Sequence, residues 1–498
     1  MDNNKVGVRI LPVALVVGVL GDTLLRGWPW GINFALWVLM LAAFLVALNG
    51  RGGTVERGAG WWLLPVAVFG VAFAWRDSGT LQLLNVLALL VAFSLWMLRA
   101  QGGVVLRASL TQYFLGSMLA GLNAGIGPLV LILGDVKWKE VSGDRSSRNF
   151  LASARGLLLA LPLLLVFGGL LISADAVFKD LAKKIFQIDF ATFLSHVFLT
   201  LFFAWIASGY ARGILMGREL EWAKGIHPPP LSLGMVETGV VLGSLDALFL
   251  AFVAVQFHYF FGGAARVQVT PGLTYAEYAR SGFFELLAVA TLVLPLLLLL
   301  HWLLRKDQPA HERIFRWLAG FQLAMLAVII LSAFERMRLY QREYGLTEQR
   351  LYPTAFMVWL AVVFVWFALT VLRGQRQYFA FGAMVAGFVL IAALHVANPD
   401  ALIVRVNAAH AAAGHRFDAD YAARLSADAV PELLRTLPQM DEKEQRVVAR
   451  RLLTSWSEAT DQDWRTWSYS RAAAYEAVRQ SAGNLQRMAC WNCPASHK

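Results

Sequence analysis

Long runs of apolar residues, broken by short polar stretches, dominate the chain up to Ala397. They recur near residues 8–25, 31–48, 61–75, 81–98, 156–174, 192–215, 235–260, 283–304, 317–334, 354–372 and 378–397. Each is close to the length that an α-helix needs to cross a bilayer, about 20 residues. None alternates with the period of a strand, and in lipid a backbone must satisfy its own hydrogen bonds. The pattern predicts an all-α, polytopic transmembrane helical bundle of about eleven spans, followed by a small C-terminal helical domain.

One further run, Leu110 to Gly134, fits less well. It is apolar, but Gln112, Asn123, Pro128 and five glycines (Gly116, Gly121, Gly125, Gly127, Gly134) make it a poor straight helix. Charge arbitrates. If this run does not cross and the N-terminus is cytoplasmic, the inner loops hold 20 Lys+Arg and the outer loops 11; if it crosses, the counts become 15 and 16. Cytoplasmic loops carry the excess of basic residues. The run is therefore expected to be a re-entrant or interfacial hairpin on the cytoplasmic side, beside Lys137, Lys139, Arg145, Arg148 and Arg155. The first run, Val8 to Leu25, precedes Arg26-Gly27-Trp28-Pro29 and no small-residue cleavage site, so it reads as a retained span.

After Ala397 the chain turns polar and Ala-rich. Asn398-Pro399-Asp400 reads as a helix start and Gly414 as a stop. Asp441 with Glu444, and Thr460 with Asp463, have capping-box spacing, and Trp456, Trp464 and Trp467 are expected to close a small core. The chain thus divides into N-terminal spans plus the re-entrant or interfacial segment (1–150), a membrane core (151–397) and a small extracytoplasmic helical domain (398–498).

Composition sharpens this picture. Of 498 residues, 58% are hydrophobic and 15% charged, against roughly 25% charged in a soluble domain; mean hydropathy is +0.55. Soluble, disordered and collagenous folds are excluded. The net charge of +11 does not point to nucleic acid, because from Asn398 onward 13 Lys+Arg face 12 Asp+Glu and the excess lies in membrane loops. Both cysteines, Cys490 and Cys493, lie in the last nine residues. Their redox-pair spacing lacks a strand-helix context and reads as a tail or a simple disulfide.

Four blocks carry a resemblance. They are Ser173-Ala174-Asp175-Ala176-Val177-Phe178; Val255-Gln256-Phe257-His258 through Gly263; Thr274 to Leu286, with Tyr275, Glu277, Arg280 and Glu285; and Glu335-Arg336-Met337-Arg338-Leu339-Tyr340, continuing through Tyr344-Gly345-Leu346-Thr347 to Arg350-Leu351-Tyr352. With the stretch from Arg155-Gly156 onward, their order resembles a bacterial family of polytopic inner-membrane proteins catalogued as a domain of unknown function. The resemblance covers roughly residues 150–475, is weak or absent in the first 150, and implies fold and location but no activity.

The expected topology brings three of these blocks to the outer side. Glu277, Arg280 and Glu285 fall within about 140 degrees of one helix face, at about 100 degrees per residue, and Glu335, Arg338 and Arg342 follow an i, i+3, i+7 stripe. The candidate outer polar site is Asp175, Tyr275, Glu277, Arg280, Glu285, Glu335, Arg336, Arg338, Tyr340, Tyr344 and Arg350. Guanidiniums so placed suit a small polar ligand or a lipid head group; the competing reading is a belt of ion pairs anchoring helix ends. Asp246 is an intramembrane acid near the middle of its span, beside the small-residue stripe Gly239, Gly243, Ala247 and Ala251. It reads either as a proton or ion relay or as interhelical glue. His196, His258, His301 and His311 share no metal-ligand spacing, and no phosphate loop or nucleophile elbow occurs. No cofactor, metal or nucleic-acid partner is expected; the expected partners are the bilayer and a small-molecule or lipid head-group ligand. The reading is a non-enzymatic role in transport or envelope sensing, with the N-terminus cytoplasmic and the C-terminal domain periplasmic; the alternative is a membrane-embedded enzyme acting on a lipid-linked substrate.

Overall fold

The computed structural model describes residues 3–50, 59–101, 104–138, 190–216, 233–261, 283–305, 308–457 and 463–489, with scattered positions between 153 and 175. Among the described residues the fold is all-α, and its one β contact is an isolated bridge between Leu233 and Leu304. The membrane body comprises α1 (Asn3–Leu25), α2 (Ile32–Gly50), α3 (Leu63–Trp75), α4 (Gly79–Ala100), α5 (Leu110–Val130) and α6 (Phe190–Met216). It continues with α7 (Met235–Phe261), α8 (Phe283–Leu303), α9 (Pro309–Tyr344), α10 (Glu348–Thr370) and α11 (Phe379–Ala397).

Nine helices among the described residues are long and apolar enough to cross a membrane; Ile32–Leu48 and Gly60–Trp75 are shorter apolar helices. Their outward faces carry rows of exposed Leu, Val and Phe, such as Leu83, Leu87 and Leu90 on α4 and Val358, Val362 and Val365 on α10. Such faces are stable only against lipid, so the chain is an integral membrane protein. Of the expected run 156–174 only scattered positions are described, all of them helical.

Two apolar cores hold the body together. The first joins α1 to α6 around Ile10, Leu45, Phe69, Phe73 and Ala207. Its tightest seam is α1 on α6: a Cβ at Gly18 would collide with the Thr200 carbonyl and Ala204, and one at Gly21 with the Phe203 ring. The second core joins α7 to α10 around Leu242, Leu297, Phe315, Val363 and Phe367. Helix α11 bridges them, packing Phe388 and Ile391 on the first and Phe379 in the second.

Helix ends divide between a distal side, which carries the C-terminal domain, and a proximal side, where α1 begins. Segment 110–134 forms one continuous helix, α5, followed by a wider turn over Leu131–Asp135, and no hairpin. By length and composition it also qualifies as a span. Its contacts run crosswise. It enters from Val105–Arg107, beside Arg376–Tyr378 at the proximal end of α11, and Tyr113 donates to the Val105 carbonyl at 2.9 Å. It then passes Leu98 of α4 at Gly116 and Gly209 of α6 at Gly127, and ends where Lys137 N donates to Asn4 Oδ1 at 2.9 Å. Both ends of α5 therefore lie on the proximal side. Arg212 pairs with Asp135 at 2.5 Å on its way.

The C-terminal domain contains α12 (Pro399–Ala412), α13 (Ala419–Ala422), α14 (Val430–Thr436), α15 (Glu442–Trp456) and α16 (Tyr469–Ala489). Val404, Leu433, Val448, Leu452, Val478 and Leu485 form its core. The local signals act as expected: Asn398, in a left-handed conformation at φ 51°, accepts from Ala401 N, and Asp441 and Glu444 form a reciprocal capping box. Thr460 lies outside the described residues. Trp456 covers the core and meets Tyr475 edge to face. Trp464 and Trp467 do not close it; they are exposed, on a turn laid against α1 and α2.

Candidate functional site

The sequence-predicted outer residues separate into local groups. Tyr275, Glu277 and Arg280 lie outside the described residues, as do Cys490 and Cys493. Asp175 and Glu285 are exposed. Glu335 pairs with Arg338 three residues on, at 2.9 Å on the open surface of α9. Arg336 turns inward and donates to Gln256 Oε1 of α7 at 3.2 Å, where Ser332 also donates at 3.1 Å. Arg350 lies 4.1 Å from the Tyr340 ring and 5.9 Å from the Tyr344 ring, and donates to the Tyr344 and Gly345 carbonyls at 2.8 and 2.6 Å. That last group closes the α9–α10 turn. The small-residue stripe of α7 does not serve a close approach among the described residues, since nothing stands within 4 Å of a Cβ at Gly243.

The most concentrated polar chemistry lies where sequence reading did not look, between the membrane body and the C-terminal domain. Its centre is Asp428, only 4% exposed. Its carboxylate accepts from Arg76 Nη1 at 3.1 Å and from the backbone N–H groups of Asp77 and Ser78 at 2.7 and 2.9 Å. The Ser470 hydroxyl faces it too, sharing its single proton between Asp428 and the Trp75 carbonyl. Three segments converge on one charge: the α3–α4 turn, the start of α14 and the start of α16.

Around it stand two further acids. Asp77 pairs with Arg471 at 2.8 Å. Burial pushes its carboxyl up to about 6, against the pull of Arg471 and with Asp428 adding to the rise. Asp400, 2% exposed, accepts from Ser426 Oγ at 2.5 Å through one oxygen, while the other is buried without a partner. Burial pushes it up to about 6 as well, helped by Glu348 and Asp428 and opposed by the Ser426 hydroxyl. Burial lowers Arg471 from its ordinary value. A carboxyl with one unpartnered buried oxygen is better neutral than charged.

The same domain grips two more turns. Arg471 Nη2 donates to the Trp30 carbonyl at 3.0 Å, and Ile32 N donates to the Trp467 carbonyl at 2.8 Å, which holds the α1–α2 turn. At the α9–α10 turn, Asn407 pairs both ways with Leu346, at 2.6 and 2.8 Å, and Glu348 N donates to Tyr421 Oη at 2.9 Å. Gly345 has φ 72°, and a Cβ there would meet Asn407. An apolar layer of Leu81, Leu346, Leu351, Leu394 and Ile403 seals the contact. The domain thus bridges turns from both cores. The sequence offered a faint signal, a charged Arg76-Asp77-Ser78 turn between two apolar runs, but its partner lies 350 positions away.

Among the described residues no group of three or more His, Cys, Asp or Glu that could hold an ion occurs. No curated protein and no solved structure matches the chain. Residues 63–436 match the model of a family described as a domain of unknown function, DUF4153. The match begins earlier than the expected residue 150 and stops before 475. It takes in both Asp77 and Asp428, and it ends with α14. Since it covers well over half of the chain, the protein belongs to the DUF4153 family of unknown function.

Proposed function

We propose that the protein works in envelope sensing or transport in a bacterial inner membrane, and that its C-terminal domain is the input element. The observation that carries this reading is the Asp428 junction, where one buried carboxylate ties the domain to the α3–α4 turn while the same domain holds turns of both helical cores. A shift of the domain then reaches both cores at once. The exposed Glu335–Arg338 pair on the distal part of α9 is the group open to a small polar ligand or a lipid head group.

The excess of basic residues in the proximal loops supports a cytoplasmic N-terminus and a periplasmic C-terminal domain. The crosswise contacts of α5 support the same arrangement. Lys137 lies by Asn4 on the proximal side and His196 by Asp22 on the distal side, so α5 ends and α6 begins on opposite sides of the bundle.

Two measurements test the reading. A phosphatase fused after Ala397 is expected to be active; an inactive one with a fluorescent reporter there overturns the orientation. Cells lacking the chain and cells carrying Asp428→Ala at normal membrane level are expected to show the same altered response to acid and osmotic shock. A variant indistinguishable from wild type, where the deletion has a phenotype, removes the junction from the function.

A further inference from the structure

Helices α7 and α9 run in the same direction, and their buried faces interlock as a parallel seam. The Gln256–Ser332 hydrogen bond fixes the register. Stepping back along both helices, Val253 and Phe249 come level with Ile329 and Leu326, and Leu242 with Ala319; all six belong to the apolar core. Along α7 these positions alternate three and four residues, as knobs and holes do, and along α9 they step by three, three, four and three. In the layer between Phe249 and Leu242 both positions are polar: Asp246, 5% exposed, faces the level of Gln322, which is fully buried. Both oxygens of Asp246 and both polar atoms of Gln322 are buried without a hydrogen-bond partner.

We propose that Asp246 and Gln322 form a proton-binding site inside the membrane, in the α7–α9 seam. A carboxylate with no donor in such a place costs several kcal/mol or more, so the carboxyl holds a proton taken from water: an O–H bond forms and one negative charge is lost. Gln322 supplies what each state needs, its carbonyl accepting from the acid O–H and its N–H groups donating to the carboxylate. Side chains of one layer in a parallel seam lie within reach of each other. Among the described residues of α7 to α10 no other charged side chain stands at this level. In the sequences of α7 to α10 the remaining charged residues lie near the helix ends, with Glu237, His301 and Arg316 at the proximal end and Glu285, Arg336 and Glu348 at the distal end. Arg336 is ten residues beyond the level of Gln322's neighbour Leu326, about 15 Å along the axis. Proton release would place a charge in the seam and separate the two helices, which makes the site a means of coupling protonation to the packing of the second core.

The test is infrared titration of the full-length protein in lipid nanodiscs, following the carbonyl band of protonated carboxylic acids from about pH 5 to about pH 9. Asp77 and Asp400 also lose carboxylic-acid bands in this range, so the expected result is one further titrating component in the wild type that is missing from Asp246→Asn. Gln322→Met removes the amide that would stabilise the carboxylate, so the midpoint is expected to move up by about one pH unit, a tenfold gain in proton affinity. If Asp246→Asn does not insert, the Gln322→Met shift decides alone, since Asp77 and Asp400 lie at the distal junction, away from Gln322. A titration identical in wild type and Asp246→Asn, no component that shifts in Gln322→Met, or a shifting component whose midpoint is set by sodium concentration at fixed pH would each overturn the proposal.

Discussion

Asp428 and Asp246 are the same residue type at almost the same exposure, 4% and 5%, and their surroundings are opposite. Asp428 takes an arginine, two backbone N–H groups and a serine at the rim of the bundle, where three segments end and orphan donors are plentiful. Asp246 lies midway along a helix whose N–H groups already bond within the helix, and apart from Gln322 the seam positions around it are apolar. Burial alone does not decide whether an acid is a structural anchor or a protonatable group. The supply of donors does, and helix ends have them while helix middles do not.

Removing the anchored charge should have the largest effect. Asp428→Ala leaves Arg76 and two backbone N–H groups unmatched, and breaking one side of a buried ion pair costs about 3 to 5 kcal/mol. The expected outcome is release of the C-terminal domain, read as rapid proteolysis between α11 and α12 in a protein that still inserts. If the domain stays as protected as in wild type, the comparison loses its first half.

Acidification should act next, and in the strengthening direction. Asp77 and Asp400 are both raised to about 6 from 3.8. Their contribution to docking is full below the unshifted value and is lost as pH rises through the shifted one. Between pH 7 and pH 5 the docked state should gain roughly 1 kcal/mol from each acid, with Arg471, Asp428 and Glu348 as the charges that face them. Proteolytic release that slows at the lower pH meets this expectation; faster release contradicts it.

Asp22 is a further buried acid, held by Arg26 at 2.6 Å and by His196 at 2.5 Å. Asp22→Asn should cost about 1 to 3 kcal/mol by weakening charge-assisted bonds, seen as a lower unfolding temperature in detergent. Asp246→Asn should cost least, within about 1 kcal/mol, because a neutral amide replaces a neutral acid of similar shape. A marked loss of folded protein in that variant would mean that Asp246 is charged and paired, and the contrast with Asp428 would disappear.

How much of this was legible beforehand follows from the range of each interaction. Helix identity depends on local apolar runs, so the spans, the Asn398 cap and the Asp441–Glu444 box could be read directly. Asp246 could be picked out because a charge in an apolar run is visible in one dimension. Its partner Gln322 could not, because an amide in a span has no such contrast and only the seam register aligns the two. The outer blocks drew attention through their charge, yet Glu335 with Arg338, and Arg350 with Tyr340, turned out to satisfy one another locally.

The sequence by itself determined that this chain is a bundle of apolar helices with a polar helical domain after Ala397, because hydrophobicity and capping act over a few residues. The tertiary structure decided which acids are matched and which are not. Asp77 and Asp428 meet across 351 positions, and α5 lies across its neighbours although its composition would let it span. Those outcomes depend on where helix ends gather and which faces remain for lipid, and no local pattern of residues carries that information.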